Sequence, residues 1–100
     1  MKSKDEILNF LSQQKEFLRA NFHIVKLGLF GSFARGDNER DSDIDLIVEF
    51  EDNTENLFDL KRKLKAYIKE NLNLEVDICR EKYIKPGYKK AILNEAQYIN

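Results

Sequence analysis

Asp43 and Asp45 stand two residues apart at the start of an apolar run. In an extended strand, residues i and i+2 leave the same face, so both carboxylates can converge on one cation. Upstream of them lies Gly31-Ser32, a break in the chain that follows another apolar run. Downstream, Asp77 sits in a third apolar run with the parity to share that face. The stretch 31–45, GSFARGDNERDSDID, therefore reads with Asp77 as a site for a metal and a triphosphate.

Transfer of phosphoryl or nucleotidyl groups places heavy negative charge at the reacting centre, and the protein must supply positioning and charge compensation. Mg²⁺ takes oxygen ligands, often only one or two carboxylates, with phosphates and water completing the octahedron. Asp43 and Asp45 supply such carboxylates. With Asp77 on a neighbouring strand, a second ion could bind ~3.5–4 Å away. Alternatively, Asp77 could take the proton from an attacking hydroxyl. Backbone N–H groups at Gly31 and Ser32 would hold the phosphate tail, the Ser32 hydroxyl would add a donor, and Arg35 could pair with phosphate.

Other readings of the stretch fail on particular residues. Gly31 and Gly36 have the glycine spacing of a P-loop, but Asp37-Asn38 follow where that loop needs Lys and then Ser or Thr. Asp41, Asp43 and Asp45 have the spacing of the first three EF-hand ligands. Leu46 then replaces the required glycine, and Asp52 replaces the final glutamate. No cluster of His or Cys has zinc-binding spacing, and no Ser-His-Asp set is evident. The bland alternative is that Asp43 caps a strand and Asp45 is a solvated edge charge.

The elements that must position these groups follow from periodicity and punctuation. Ser3 and Glu6 have capping-box spacing, and Ile7, Leu8, Leu11, Leu18 and Phe22 recur at helical spacing, so one amphipathic helix is expected over 4–21. Residues 24–30 read as a strand, 32–35 as the first turn of a short helix, and 36–42 as polar loop. A second strand is expected over 43–50, with Ile44, Leu46 and Val48 on one face and Asp43, Asp45 and Ile47 on the other. Residues 54–72 read as a helix with the stripe Leu57, Leu60, Leu64, Ile68 and Leu72. A third strand is expected over 74–79, and Pro86 suits the first turn of a last helix, with Ile92, Leu93 and Ala96 as its apolar face. The expected class is α+β, a small mixed β-sheet with helices packed on one face. The other face, where the carboxylates point, is left open.

Composition excludes several classes. The chain has 100 residues, 42% of them hydrophobic and 35% charged, which suits one globular domain spanning 1–100. Lys and Arg number 17 against 18 Asp and Glu, for a net charge of −1, which argues against a dedicated nucleic-acid binder. The start, MKSKDE, lacks the apolar core of a signal peptide, and no apolar run approaches the ~20 residues of a membrane span. The single cysteine, Cys79, allows no internal disulfide and fits a cytoplasmic setting. Several conspicuous residues have ordinary readings: His23 at a helix end, Cys79 as a small strand residue, and Phe33 packed beneath the loop. The lysines of 61–69 read as a solvated helix face. Tyr83, Tyr88 and Tyr98, interleaved with Lys82, Lys85, Lys89 and Lys90, are either a partner surface or ordinary packing.

Gly31-Ser32, ten residues, then Asp43-Ile44-Asp45 is similar to the signature of the DNA polymerase β-like nucleotidyltransferase superfamily. More closely, GSFARGDNERDSDIDLIVEF resembles the MNT-type minimal nucleotidyltransferases, with the likeness running through VDIC into the Pro86 helix. The resemblance implies the polymerase β-like nucleotidyltransferase fold. It implies that Gly31 and Ser32 hold the triphosphate, that Asp43 and Asp45 bind Mg²⁺, and that Asp77 is the third catalytic carboxylate. It further implies a partner, a HEPN-domain toxin bound as a hetero-oligomer and silenced when AMP passes from ATP to one of its tyrosines. Larger relatives that modify antibiotics or tRNA carry a helical acceptor-binding domain, and no segment here reads as one. The acceptor surface is therefore expected on the partner. Two alternatives stand beside this: neutralisation by binding alone, and transfer to a small molecule such as an aminoglycoside.

Overall fold

The computed structural model describes residues 3–99, so the expected domain limits at Met1 and Asn100 lie outside the described residues. Ser3 caps α1 (Lys4–Gln13). Its hydroxyl accepts from the Glu6 N–H at 3.2 Å, and the Glu6 carboxylate accepts from the Ser3 N–H at 3.4 Å. The expected single helix over 4–21 is instead two, because Gln14 leaves helical geometry at φ −91° and ψ 1°, and α2 runs Lys15–Phe22. The cause is tertiary. The Gln14 side-chain oxygen accepts from the Tyr67 hydroxyl at 2.6 Å, and Phe17 stacks on the same Tyr67 ring at 5.0 Å. Each segment still buries its own apolar pair, Ile7 with Leu11 and Leu18 with Phe22. His23, left-handed at φ 57°, ends α2, and its carbonyl accepts from the Glu51 N–H at 2.8 Å.

Four strands follow: β1 (Ile24–Phe30), β2 (Ile44–Phe50), β3 (Val76–Arg80) and a two-residue β4 (Gln97–Tyr98). Their order is β3-β2-β1-β4, with β2 and β3 parallel and the other pairs antiparallel. Between them lie α3 (Gly31–Arg35), α4 (Leu57–Leu72), a 3-10 turn over Glu81–Tyr83 and α5 (Pro86–Glu95). Helix α4 starts at Leu57 rather than at 54, because Asn56 is held left-handed at φ 56° and the Thr54 hydroxyl closes a turn on the Glu51 carbonyl. Strand β3 starts at Val76 rather than at 74, after Asn73 has turned the chain at φ 58°. Pro86 opens α5 as expected, and β4 was not foreseen.

Leu27, Leu29, Ile44, Leu46, Val48, Val76 and Ile78 form one apolar face of the sheet, covered by Ile7, Leu11, Leu18, Phe22, Leu64, Ile68 and Leu72 of the helices. The opposite face is less open than the sequence suggests. Ile47 points to it by alternation and is fully buried, yet stands outside that core cluster. Helix α5 is in contact with both β1 and α3, and Tyr98 lays its ring over Gly28 on the same side. Among the described residues no helix is long and apolar enough to cross a membrane.

Leu64 is fully buried and Phe58, on the same helix, is 85% exposed. Leu64→Ala should cost about 2–5 kcal/mol in urea unfolding, and Phe58→Ala less than about 0.5 kcal/mol.

Candidate active site

The site begins where β1 ends. Phe30 is paired with Asp45, so the chain leaves the sheet directly opposite that carboxylate. Gly31 follows at φ 76°, a conformation L side chains rarely adopt, and a Cβ there would collide with the Asp45 carboxylate. Two independent constraints therefore demand glycine at 31. The five-residue α3 is anchored by Phe33, 1% exposed, and by Ala34, while Ser32 remains half-buried and Arg35 exposed. Gly36, also left-handed, ends it, and the Ser32 carbonyl accepts from the N–H groups of Gly36 at 2.9 Å and Asp37 at 3.1 Å. Phe33 thus packs as the sequence suggests, under the turn.

The carboxylates come from the inner strand β2, the residue before it, and the edge strand β3. In the parallel β2–β3 pair, Asp45 is the register partner of Asp77. Ile44 and Leu46 on one strand, with Val76 and Ile78 on the other, point into the core, which forces the two aspartates outward together. Asp43 lies one residue before β2, exposed, beside a hollow of about 390 Å³ shared with Arg40, Lys69 and Glu75. The Asp45 carboxyl is pushed up to about 6, first by burial, then by the charges of Asp77 and Asp43; Arg35 opposes this and Glu95 adds to it. Asp43, Asp45 and Asp77 therefore share one electrostatic environment. Among the described residues no three His, Cys, Asp or Glu side chains stand in a metal-ligating arrangement, so a three-carboxylate ligand set is not preformed. The donor chemistry suits Mg²⁺ nonetheless: hard oxygens, two of them register partners, whose mutual repulsion a dication would relieve.

Arg35, read from sequence as a phosphate partner, is held by two carboxylates. Its Nε donates to Asp37 at 3.0 Å and its Nη1 to Glu95 at 3.3 Å. Glu95, at the end of α5, also accepts from the Gly31 N–H at 2.9 Å. Sequence reasoning did not single Glu95 out, and no local pattern marks a residue 64 positions away as a neighbour of Gly31. The Cys79 thiol is pushed up, by burial first and then by Asp77, which fits an unreactive strand residue. On α4, Lys63 pairs with Asp59 and Lys69 with Glu75, as on a solvated face. Tyr83 and Tyr88 are exposed, whereas the Tyr98 hydroxyl donates to Glu81 at 3.0 Å.

The raised Asp45 carboxyl has a consequence for stability. Its folded pKa of about 6 exceeds the ordinary 3.8, so the folded chain binds this proton more tightly and loses stability as pH rises from about 4 to about 6. Asp45 is only half-buried, which reduces the effect to about 1 kcal/mol. Asp45→Asn should therefore gain about 1 kcal/mol over the parent between pH 4 and pH 7, read from metal-free denaturant titrations.

Residues 11–99 match the profile of the nucleotidyltransferase domain family. The protein adenylyltransferase MntA of Thermococcus cleftensis is 34% identical over 99 residues, spanning 99% of this chain and 98% of that one. A solved candidate minimal nucleotidyltransferase superposes with a TM-score of 0.77 at 31% identity, covering 96% of this chain and 95% of the other. A toxin–antitoxin structure with AMP-PNP shares the fold, with a TM-score of 0.68 at 22% identity over 87% of this chain and 70% of that one. The profile runs through every strand of the sheet and through Gly31, Asp45 and Asp77, and the chain belongs to the nucleotidyltransferase family, in its MNT-type minimal branch.

Proposed function

We propose that the chain, acting as a single nucleotidyltransferase domain in the cytoplasm, transfers AMP from ATP to a tyrosine hydroxyl of a HEPN-domain toxin, and so acts as its antitoxin. The observation that carries this is the register pair Asp45–Asp77 set beside the Gly31 turn. It brings carboxylates and a backbone turn together, which supports a reading as metal ligands beside phosphate donors. MntA of Thermococcus cleftensis, by its name, adenylylates protein, and the toxin–antitoxin fold neighbour supplies the class of partner to try.

The residues would divide the work as follows. Gly31 and Ser32 hold the triphosphate through backbone N–H groups and the Ser32 hydroxyl, with Arg35 at its edge. Asp43, Asp45 and Asp77 would hold Mg²⁺, which when bound neutralises charge on the phosphates. Asp77 is exposed, with no charge partner among the described residues, and would accept the proton of the incoming tyrosine hydroxyl. The tyrosine oxygen forms a bond to the α-phosphorus, the bond from that phosphorus to the bridging oxygen breaks, and pyrophosphate leaves.

Labelled ATP, Mg²⁺ and the cognate HEPN protein should yield a labelled toxin. Asp43→Asn with Asp45→Asn should reduce labelling by at least ~10³-fold, and labelling at the parental rate would refute the site. In cells, Asp77→Ala should lose protection against the toxin if transfer is the antidote. Full protection by that variant would mean neutralisation by binding alone.

A further inference from the structure

The groups assigned above to the triphosphate already hold an anion from the chain itself. One Glu95 oxygen accepts from the Gly31 N–H at 2.9 Å, and both Glu95 oxygens lie 3.3 Å from Arg35 Nη1. A carboxylate and a phosphate draw on the same donors in the same way, through charge-assisted hydrogen bonds to backbone N–H and guanidinium. They cannot occupy Gly31 N–H together, since that donor has one hydrogen. The Glu95 side chain is 24% exposed, so this contact is well shielded but reachable from solvent.

Glu95 sits on a shallowly buried element. It stands at the last residue of α5, and no residue of that helix is fully buried. Beyond Ala96 the chain is tied to β1 by the two residues of β4 and by the Ile99 N–H, which donates to the Leu27 carbonyl at 2.9 Å. The movement needed is therefore one of the Glu95 side chain and the helix end rather than of the whole segment. Elements with few buried contacts open first. A change of rotamer, or a small shift of the helix end, would free the Gly31 N–H.

We infer that Glu95 is an internal occupant of the phosphate site, which the nucleotide's triphosphate displaces on binding, so that Glu95 sets nucleotide affinity and links the end of α5 to the state of the site. The inference rests on the reading of Gly31, Ser32 and Arg35 as triphosphate holders. It differs from a supporting role, in which Glu95 would orient Arg35 for the phosphate and its removal would weaken binding.

The two roles predict opposite signs. Inorganic tripolyphosphate reports on the phosphate site alone, and ATP on the whole nucleotide site. Their affinities, with Mg²⁺ present, should be measured by calorimetry for the parent, Glu95→Gln, Glu95→Ala and Ser32→Ala. Loss of the internal anion should tighten tripolyphosphate binding about tenfold or more, most in Glu95→Ala, the worth of one charge-assisted hydrogen bond. Ser32→Ala should weaken it. In the parent, tripolyphosphate should shift the amide resonances of Gly31 and of Asn94, Glu95 and Ala96 together. Unchanged or weaker binding in both Glu95 variants, with Ser32→Ala still weakened, would overturn the role of Glu95 and leave the phosphate site standing. If no variant binds tripolyphosphate, or Ser32→Ala changes nothing, the phosphate reading itself falls and this inference with it.

Discussion

Two like charges side by side on neighbouring strands repel, and a sheet carries such a pair only where the register leaves no alternative. Asp45 and Asp77 are such a pair, held by the parallel alignment of β2 and β3. The alignment is enforced from the other face. A slip of one residue would turn Ile44, Leu46, Val76 and Ile78 out of the core and the aspartates into it. The apolar core thus bears the electrostatic strain of the site.

The same two strands carry a contrasting pair at their far ends. Arg80, aligned with Val48, pairs with Glu49 at 3.1 Å, and the Glu49 carboxylate also accepts from the Lys82 N–H at 3.1 Å. Opposite charges there are matched and largely shielded. At the Asp45 end two like charges stand together, and Arg35, whose charge opposes theirs at Asp45, is shared with Asp37 and Glu95. Compensation at one end closes the structure, and at the other it is what the proposed metal ion would supply.

Gly31 joins this strand pair to the turn that opens α3. Because Phe30 pairs with Asp45, the turn must start against the carboxylate, and only a residue without a Cβ fits. Phe33 and Ala34 then fix the short helix from beneath. The turn and Asp45 are in this way packed directly together, whereas α5, with no fully buried residue, is the more shallowly buried wall of the same site.

Much of this was legible in the amino-acid order, because it depends on local rules. Period-two alternation placed Asp45 and Asp77 on one face, the Gly31-Ser32 break placed the turn, and Ser3 with Glu6 marked the first helix start. What the chain order left undecided depends on residues far apart in it. The break at Gln14 answers to Tyr67, 53 positions on. The cover over Ile47, the two-residue β4 and the seat of Glu95 at Gly31 all arise when the last helix folds back across the sheet. Periodicity sees which face a residue takes within its own element, but not which distant element meets it, and so the carboxylates could be read from sequence while the anion that sits beside them was decided by tertiary structure alone.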